Sequence, residues 1–248
     1  MKIPPLKLQL ISSILILFTA CSKELDECFY LTDDITTKVY HSEKFEQVEI
    51  YVPGEYSFKQ GKEHEIKITA HSRYLDSLNT NVHHGKLSIT NRSPFCENKT
   101  DLKVEITLPK IKSLFFNAKS TIYMNDFVHQ EDLTINLRKK SFVEINRFEG
   151  MHKFFVLLRE DASIKTNTPI ENIDSLQINI EGEGRFNGFN IPARHVNIDI
   201  LGKGYCEVNT IEKLHVVIKV NANVVAKDCP SLYKSITGKG EGEVYLKN

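Results

Sequence analysis

The stretch LQINIEGEGRFNGFNIPARHVNIDILGKGYCEV, residues 176–208, contains the same pattern twice. In each copy, apolar and polar residues alternate over a short run, a Gly-x-Gly turn follows, and a second alternation begins. Strict alternation is typical of a β-strand with one buried face. The stretch therefore predicts two equivalent units of about twenty residues, each with strands on both sides of a glycine corner.

The same unit, called a rung below, recurs from residue 112 onward. Rungs begin at Lys112, Leu133, Phe154, Leu176, Val196, Val216 and Lys234. An apolar residue lies two positions after every start: Leu114, Ile135, Val156, Ile178, Ile198, Ile218 and Ile236. Another lies ten positions after every start: Ile122, Val143, Ile164, Phe186, Cys206, Ala226 and Val244. We expect each set to form a ladder of stacked, inward-facing side chains.

Stacking explains how such short rungs fold. One rung cannot bury its own apolar face, but rungs spaced by about 4.8 Å bury it against each other, and seven make a rod roughly 30 Å long. The strands are too close in sequence for crossover helices, so a doubly wound sheet is excluded. We predict an all-β fold, a right-handed parallel β-helix, because parallel crossovers are overwhelmingly right-handed.

Residues 36–110 also contain short alternating strands, but these are separated by irregular turns. The end of a solenoid exposes unpaired backbone and needs a cover. We therefore expect residues 36–110 to form an N-terminal β region, either a cap or the first half of the rod, and residues 111–248 to form the parallel β-helix rungs.

The first residues are typical of an export signal, since Lys2 and Lys7 precede a short apolar run. The run ends in Phe18-Thr19-Ala20-Cys21, which resembles the lipobox of bacterial lipoproteins. We expect residues 1–20 to be a lipoprotein signal peptide, Cys21 to be the lipid attachment site, and residues 21–35 to be a tether. An ordinary secretory signal is the alternative. Ser22 in place of Asp indicates the Gram-negative outer membrane, on its cell-surface or periplasmic side.

The net charge of the chain argues against nucleic acid as a partner. The chain has 32 acidic and 32 basic residues, and a neutral chain gives no electrostatic attraction to nucleic acid.

Export from the cytoplasm would permit the cysteines to form disulfides. Cys28 follows the polar stretch 22–27 of the tether and Cys96 lies in a polar loop, so we expect these two to pair, whereas Cys206 falls in an inward ladder and is expected to be buried.

With these features assembled, the chain resembles the auto-transporter adhesin head GIN domain family of exported bacterial proteins. The resemblance is carried by the lipobox, by the phrase FEQVEIYVPGEYSFKQGKEHEIKITAHSRYLDSLNTNVHHGKLSIT, and by the later turns EGEGRF, LGKGYC and GKGEGEV. It covers roughly residues 36–248 and implies a β-helical fold. Its motifs are structural, so the adhesin name transfers no binding residue to any position.

We find no catalytic residue, metal-ligand set or cofactor motif in the sequence. Gly202-Lys203-Gly204 resembles a phosphate loop, but a strand follows it rather than the helix that such a loop requires, so we interpret it as a corner. A polysaccharide-active, pectate-lyase-like enzyme would need clustered carboxylates beside a basic residue. The turn residues that qualify are Glu160, Asp161, Glu181, Glu183, Glu241 and Glu243, with Arg185 and Lys203.

Outward-facing aromatic residues are the better candidates for a function. Phe142, Tyr205 and Val225 are expected in one outward column and Tyr123 and Tyr245 in another, while Phe155 lies on a different strand. Aromatic rows stack sugars or dock proteins. We therefore predict a non-catalytic cell-envelope lipoprotein, an adhesin-like binding or scaffold module with a glycan or protein ligand. The alternatives are the enzyme above and a self-associating structural protein of the envelope.

Overall fold

The computed structural model describes residues 33–92, 101–171, 173–228, 231–236 and 242–247. The N-terminal part contains β1 (Ile35–His41), β2 (Gln47–Ile50), β3 (Gly54–Gln60), β4 (Glu65–His71), α1 (Ser72–Ser77), β5 (Leu78–His83), β6 (Lys86–Asn91) and β7 (Lys103–Leu108). The rungs contain β8 (Ser113–Phe116), β9 (Ser120–Asn125), β10 (Leu133–Leu137), β11 (Phe142–Ile145), β12 (Lys153–Glu160), β13 (Ser163–Thr166), β14 (Ile173–Gly182), β15 (Arg185–Ile200), β16 (Tyr205–Ile218), β17 (Asn223–Lys227), β18 (Leu232–Ile236) and β19 (Glu243–Lys247). The fold is all-β, as predicted, and the six-residue helix α1 is far shorter than a membrane span.

The rungs stack into two parallel sheets. Sheet A takes the first strand of each rung: β8, β10, β12, β14, the second halves of β15 and β16, and β18. Sheet B takes the second strand: β9, β11, β13, the first halves of β15 and β16, β17 and β19. This is the β-solenoid that the repeat predicted.

The predicted sheet A ladder is confirmed for its first five members, Leu114, Ile135, Val156, Ile178 and Ile198. The next member is wrong, because Ile198 pairs with Val216, and Ile218 pairs with Ile200. Sheet B has the same shift, since Cys206 pairs with Val224 rather than Ala226. A shift of two residues keeps every side chain on its own face, so the apolar pattern alone does not detect it.

The core lies between the sheets and along a short third side. Ladder residues such as Val156, Ile178 and Val216 are fully buried. On the third side, Phe127 and Phe148 form a parallel bridge and stack with ring centroids 5.6 Å apart. Cys206 is buried as expected, and burial raises the pKa of its thiol.

Close backbone approach explains the Gly-x-Gly corners. A side chain on Gly202 would place its Cβ 2.1 Å from the carbonyl oxygen of Gly182 on the previous rung. Stacked corner positions Lys139, Glu160 and Gly182 have positive φ values of 59°, 57° and 132°. Gly202-Lys203-Gly204 is therefore a corner, as interpreted from the sequence.

The N-terminal strands are continuous with the rod. β2 pairs in parallel with both β6 and β8, and β3 with both β7 and β9. The rung formed by β2 and β3 thus lies between the rung of β6 and β7 and that of β8 and β9. The chain first extends away from the later rungs and then crosses back over its own first rung.

Two amide side chains, of the half-buried Gln60 and the buried Gln130, fasten this crossing. Gln60 donates from Nε2 to the carbonyl oxygens of Pro109 and Val128, both at 2.9 Å, and accepts from the Val128 N–H at 3.0 Å. Gln130 accepts from the Ile111 N–H at 3.1 Å. Backbone groups that the irregular connection leaves unpaired are thereby satisfied.

The first end of the rod is closed by antiparallel strands. β4 pairs with β7 and β1 with β4 on sheet B, while β5 pairs with β6 on sheet A. Helix α1 links β4 to β5 across the end and buries Tyr74 and Leu75 in the core. The N-terminal region is therefore both a cap and the beginning of the solenoid.

Candidate functional site

Four of the five aromatic residues predicted to form a binding surface lie on the outer face of sheet B, but they are dispersed. Tyr123 and Tyr245 share a column, with Glu144, Lys165, Asn187, Glu207 and Val225 between them. Six steps of about 4.8 Å separate the two rings by roughly 29 Å. A small ligand would therefore contact only one of them.

The second predicted column is partly wrong. Phe142 and Tyr205 do share a column, separated by Ser163 and Arg185. Val225 instead pairs with Glu207, because of the two-residue shift in the last rungs. Phe142 and Tyr205 are both half-buried, so this column presents edges rather than open aromatic faces.

Tyr205 is engaged within its own rung. Its hydroxyl donates to the Glu207 carboxylate at 2.7 Å. Desolvation, followed by this hydrogen bond, raises the pKa of Tyr205 to about 12. The side chain helps to order the outer face of sheet B and remains a neutral hydrogen-bond donor at physiological pH.

Polar residues rather than aromatic ones line the next column of sheet B. The Asn146 amide donates to Asn125 Oδ1 at 2.6 Å, and the Asn167 amide donates to Asn146 Oδ1 at 2.9 Å. Such a ladder satisfies side chains along the rod and stiffens the surface. This column of sheet B is therefore polar and internally hydrogen-bonded.

Phe155, the fifth predicted residue, lies on the other face of the rod. It is half-buried on the outside of sheet A, on the same strand as Leu157. Nearby, Tyr51 packs edge-on against Phe115 with centroids 5.6 Å apart, and the Arg138 guanidinium lies 5.6 Å from the Phe115 ring centre. The five predicted residues therefore do not form one surface.

The outer face of sheet A also carries an aromatic groove that sequence reasoning missed. This groove, called the sheet A groove below, has a volume of about 560 Å³. It is lined by His195, Val196, Asn197, Lys213, Leu214, His215, Ser231 and Tyr233. The imidazole of His215 meets the Tyr233 ring edge-on at 4.7 Å.

Local structure explains how the groove forms. His215 and Tyr233 face outward because they alternate with inward residues of β16 and β18, and they are direct partners in the parallel register. Tyr233 is 63% exposed, so one face of its ring is open to solvent. His215 and Tyr233 each lie one position before a predicted rung start, at Val216 and Lys234. The predicted rungs therefore already placed these two residues side by side.

A larger bay of about 910 Å³ lies beside the crossing of the chain. Two of its basic groups have acidic partners: Lys112 bonds Glu46 at 2.6 Å and Lys110 bonds Glu131 at 2.9 Å. His64 packs edge-on against Phe45, with centroids 5.1 Å apart. These contacts hold the loops together, so the bay is a weaker candidate than the sheet A groove.

Four of the turn residues considered for catalysis, Asp161, Glu183, Arg185 and Lys203, line a shallow, mixed-charge depression of about 370 Å³ together with Ser163 and Tyr205. Glu181 is instead paired with Arg159 at 2.6 Å, and Glu241 lies outside the described residues. Within the described ranges, no group of three His, Cys, Asp or Glu side chains is arranged around a common metal position. Asp161 likewise has a basic partner, since Lys140 lies 3.7 Å from its carboxylate, so these two carboxylates belong to ion pairs between neighbouring rungs.

Several predicted features cannot be placed. The signal peptide, Cys21, Cys28 and Cys96 all lie outside the described residues. The lipid attachment site and the Cys28–Cys96 disulfide therefore stay predictions.

Comparison with known proteins agrees with the fold. The sequence model of the family described as "Putative auto-transporter adhesin, head GIN domain" matches residues 44–230. A search of curated proteins found no match.

Solved structures share the architecture at low sequence identity. A putative adhesin from Bacteroides fragilis is 16% identical, with a TM-score of 0.79 over 88% of this chain and 100% of that one. A putative adhesin from Parabacteroides merdae is 17% identical, with a TM-score of 0.70 over 89% and 99%. A protein described as a putative lipid binding protein from Parabacteroides distasonis is 17% identical, with a TM-score of 0.67 over 90% and 100%.

Proposed function

The chain belongs to the putative auto-transporter adhesin, head GIN domain family, and from this premise we propose that it is a non-catalytic, adhesin-like binding module that takes a glycan in the sheet A groove. The observation that carries the proposal is the exposed Tyr233 ring, oriented by His215 and flanked by polar side chains.

The chemistry of the groove suits a sugar. A pyranose ring has an apolar C–H face that packs on an aromatic ring and a periphery of hydroxyl groups that need hydrogen-bond partners. Tyr233 supplies the aromatic surface, while Asn197, Lys213 and His195 supply donors and acceptors along the walls. An apolar platform with a few placed polar groups is the usual composition of a small-molecule site.

Ligand binding in the groove should cost little conformational entropy. Its residues lie on strands of a stacked sheet, and Val196 and Leu214 beneath them are buried. A rigid, preformed surface loses little conformational entropy when a ligand binds. A rod that holds such a groove away from a membrane suits an adhesin-like role.

The location follows from the same proposal. Membership in an adhesin family implies an extracellular or envelope location. The lipobox at Cys21 supports a lipid anchor in the outer membrane, with residues 21–35 as a tether between the anchor and the solenoid. Multiple acyl chains hold a protein firmly, whereas one chain binds reversibly.

The test is a glycan array probed with the mature chain carrying Cys21→Ser, followed by calorimetric titration of the strongest glycan. Tyr233→Ala should weaken binding at least about tenfold, because a central aromatic anchor is lost. Tyr51→Ala is the matched control, since Tyr51 is also an exposed tyrosine and lies far from the groove, and it should leave the affinity unchanged. Absence of glycan binding, equal loss in both variants, or release of new reducing ends from the glycan would each overturn the proposal.

A further inference from the structure

The last rung leaves an open strand edge at the second end of the rod. β19 pairs with β17, and no other strand in the described ranges pairs with it. Its core-facing residues are less covered than their counterparts: Leu246 is 53% exposed, whereas Ala226, its partner on β17, is fully buried. An edge strand with apolar residues is a template for pairing with another chain.

The backbone of β19 fixes which groups face outward. The Glu243 N–H donates to the Ala222 carbonyl at 2.9 Å, so Glu243 points its backbone groups towards the rod. Successive residues of a strand alternate in this respect. Val244 and Leu246 therefore direct their N–H and C=O groups to the open edge.

The sequence of β19, EVYLK, is complementary to itself when read in the opposite direction. In an antiparallel pair of two copies centred on Tyr245, Glu243 lies opposite Lys247 of the second copy. Val244 lies opposite Leu246 of the second copy, and these are the residues whose backbone groups are free to exchange hydrogen bonds. The backbone and the side chains thus select the same register.

The two charged residues lack an ion-pair partner within their own chain. No carboxylate lies within 4.0 Å of Lys247, and no basic group lies within 4.0 Å of Glu243, among the described residues. Lys247 is a register partner of Lys227, whose ammonium is paired with Asp228 at 3.7 Å, and its own ammonium lies 5.3 Å from the Phe189 ring centre. A carboxylate on an opposing strand would give Lys247 the ion-pair partner that it lacks among the described residues.

We propose that two copies of the chain associate end to end through an antiparallel pairing of β19 with β19, in the register that opposes Glu243 and Lys247. The contact is isologous, since each copy uses the same surface, and it closes after two copies. Sheet B then continues from one rod into the other, and Val244 of each copy lies against Leu246 of the other.

The test is analytical ultracentrifugation of the mature chain carrying Cys21→Ser, under reducing conditions, from low to high micromolar concentration. The reductant excludes disulfide-linked dimers, and the substitution removes acyl-driven association. The wild-type mass should rise from monomer to dimer and no further. A monomer at every concentration, or growth beyond a dimer, which would indicate head-to-tail pairing, contradicts the proposal.

A charge exchange tests the register. Glu243→Lys alone opposes like charges at both ends of the paired strands and should raise the dimer dissociation constant at least about tenfold, and Lys247→Glu should do the same. The double exchange restores opposite charges and should return the constant to within about threefold of wild type. A dissociation constant that changes equally in the single and double exchanges, or that changes in neither, would contradict this register.

A backbone substitution tests the pairing of β19 with β19 without relying on the charged side chains. Val244→Pro removes an N–H that points to the open edge, so the pairing of β19 with β17 keeps its hydrogen bonds. The variant should be folded by circular dichroism and monomeric at all concentrations. A folded variant that still forms a dimer would show that β19 is not the contact.

Discussion

The two ends of the rod solve the same physical problem in different ways. Every solenoid ends with an apolar column and an unpaired edge. At the N-terminal end, antiparallel strands and helix α1 cover the column, and Leu75 is 2% exposed. At the C-terminal end, Val244 is only partly buried against the core, and Leu246 is 53% exposed. The apolar column is therefore well covered at the first end and incompletely covered at the second.

The largest difference in the free energy of unfolding should come from replacing one leucine at each end of the rod. Leu75→Ala removes a fully packed side chain and should cost about 2–5 kcal/mol of the free energy of unfolding. Leu246→Ala removes a half-exposed side chain and should cost less than about 1 kcal/mol. Urea denaturation at low protein concentration measures both. Equal losses would mean that the two ends are closed to a similar degree.

A smaller effect should appear at acid pH, through the contact that ties β1 to α1. Asp33 accepts hydrogen bonds from the Ser72 hydroxyl and, at 2.7 Å, from the Arg73 N–H. The Ser72 bond first, and then the Arg73 bond, lower the pKa of Asp33 to about 2. The unfolded value is about 3.9, so this stabilisation is present above about pH 4 and is lost as the pH falls through about 2.

Asp33→Asn should therefore flatten the acid side of the stability curve. The urea midpoint of the wild type should fall more steeply between about pH 4 and pH 2 than that of the variant. Asp34→Asn is the matched control, because the Asp34 side chain accepts no hydrogen bond in the part of the chain that the structure describes. If both substitutions change the curve alike, the cap contact is not its source.

The sequence determined the ladders well and the ends poorly. Alternation placed Leu114, Ile135 and Val156 correctly, because burial of one strand face leaves a period of two. It failed at Val216, where a rung is two residues shorter and the face does not change. The place of β2 between β6 and β8 was also unpredictable, since stacking order depends on long-range pairing rather than on any local pattern.

The candidate site was harder to predict than the fold for a related reason. Outward aromatic residues were recognised one strand at a time, yet a groove requires neighbours from successive rungs. Tyr233 and His215 come together only through the parallel register of β16 and β18. Phe155 was grouped with four residues of sheet B, although it lies on the outer face of sheet A.

Hydrogen exchange at the two ends, followed by mass spectrometry, tests the central contrast most directly. At concentrations where the chain is monomeric, amides of β4 and β7 should exchange slowly, near the rate set by global unfolding, whereas Val244 and Leu246 should exchange quickly because their N–H groups face solvent. At high concentration, these two amides should become protected. Slow exchange of β19 in the monomer, or exchange that does not respond to concentration, would contradict the account of a closed end and an open one.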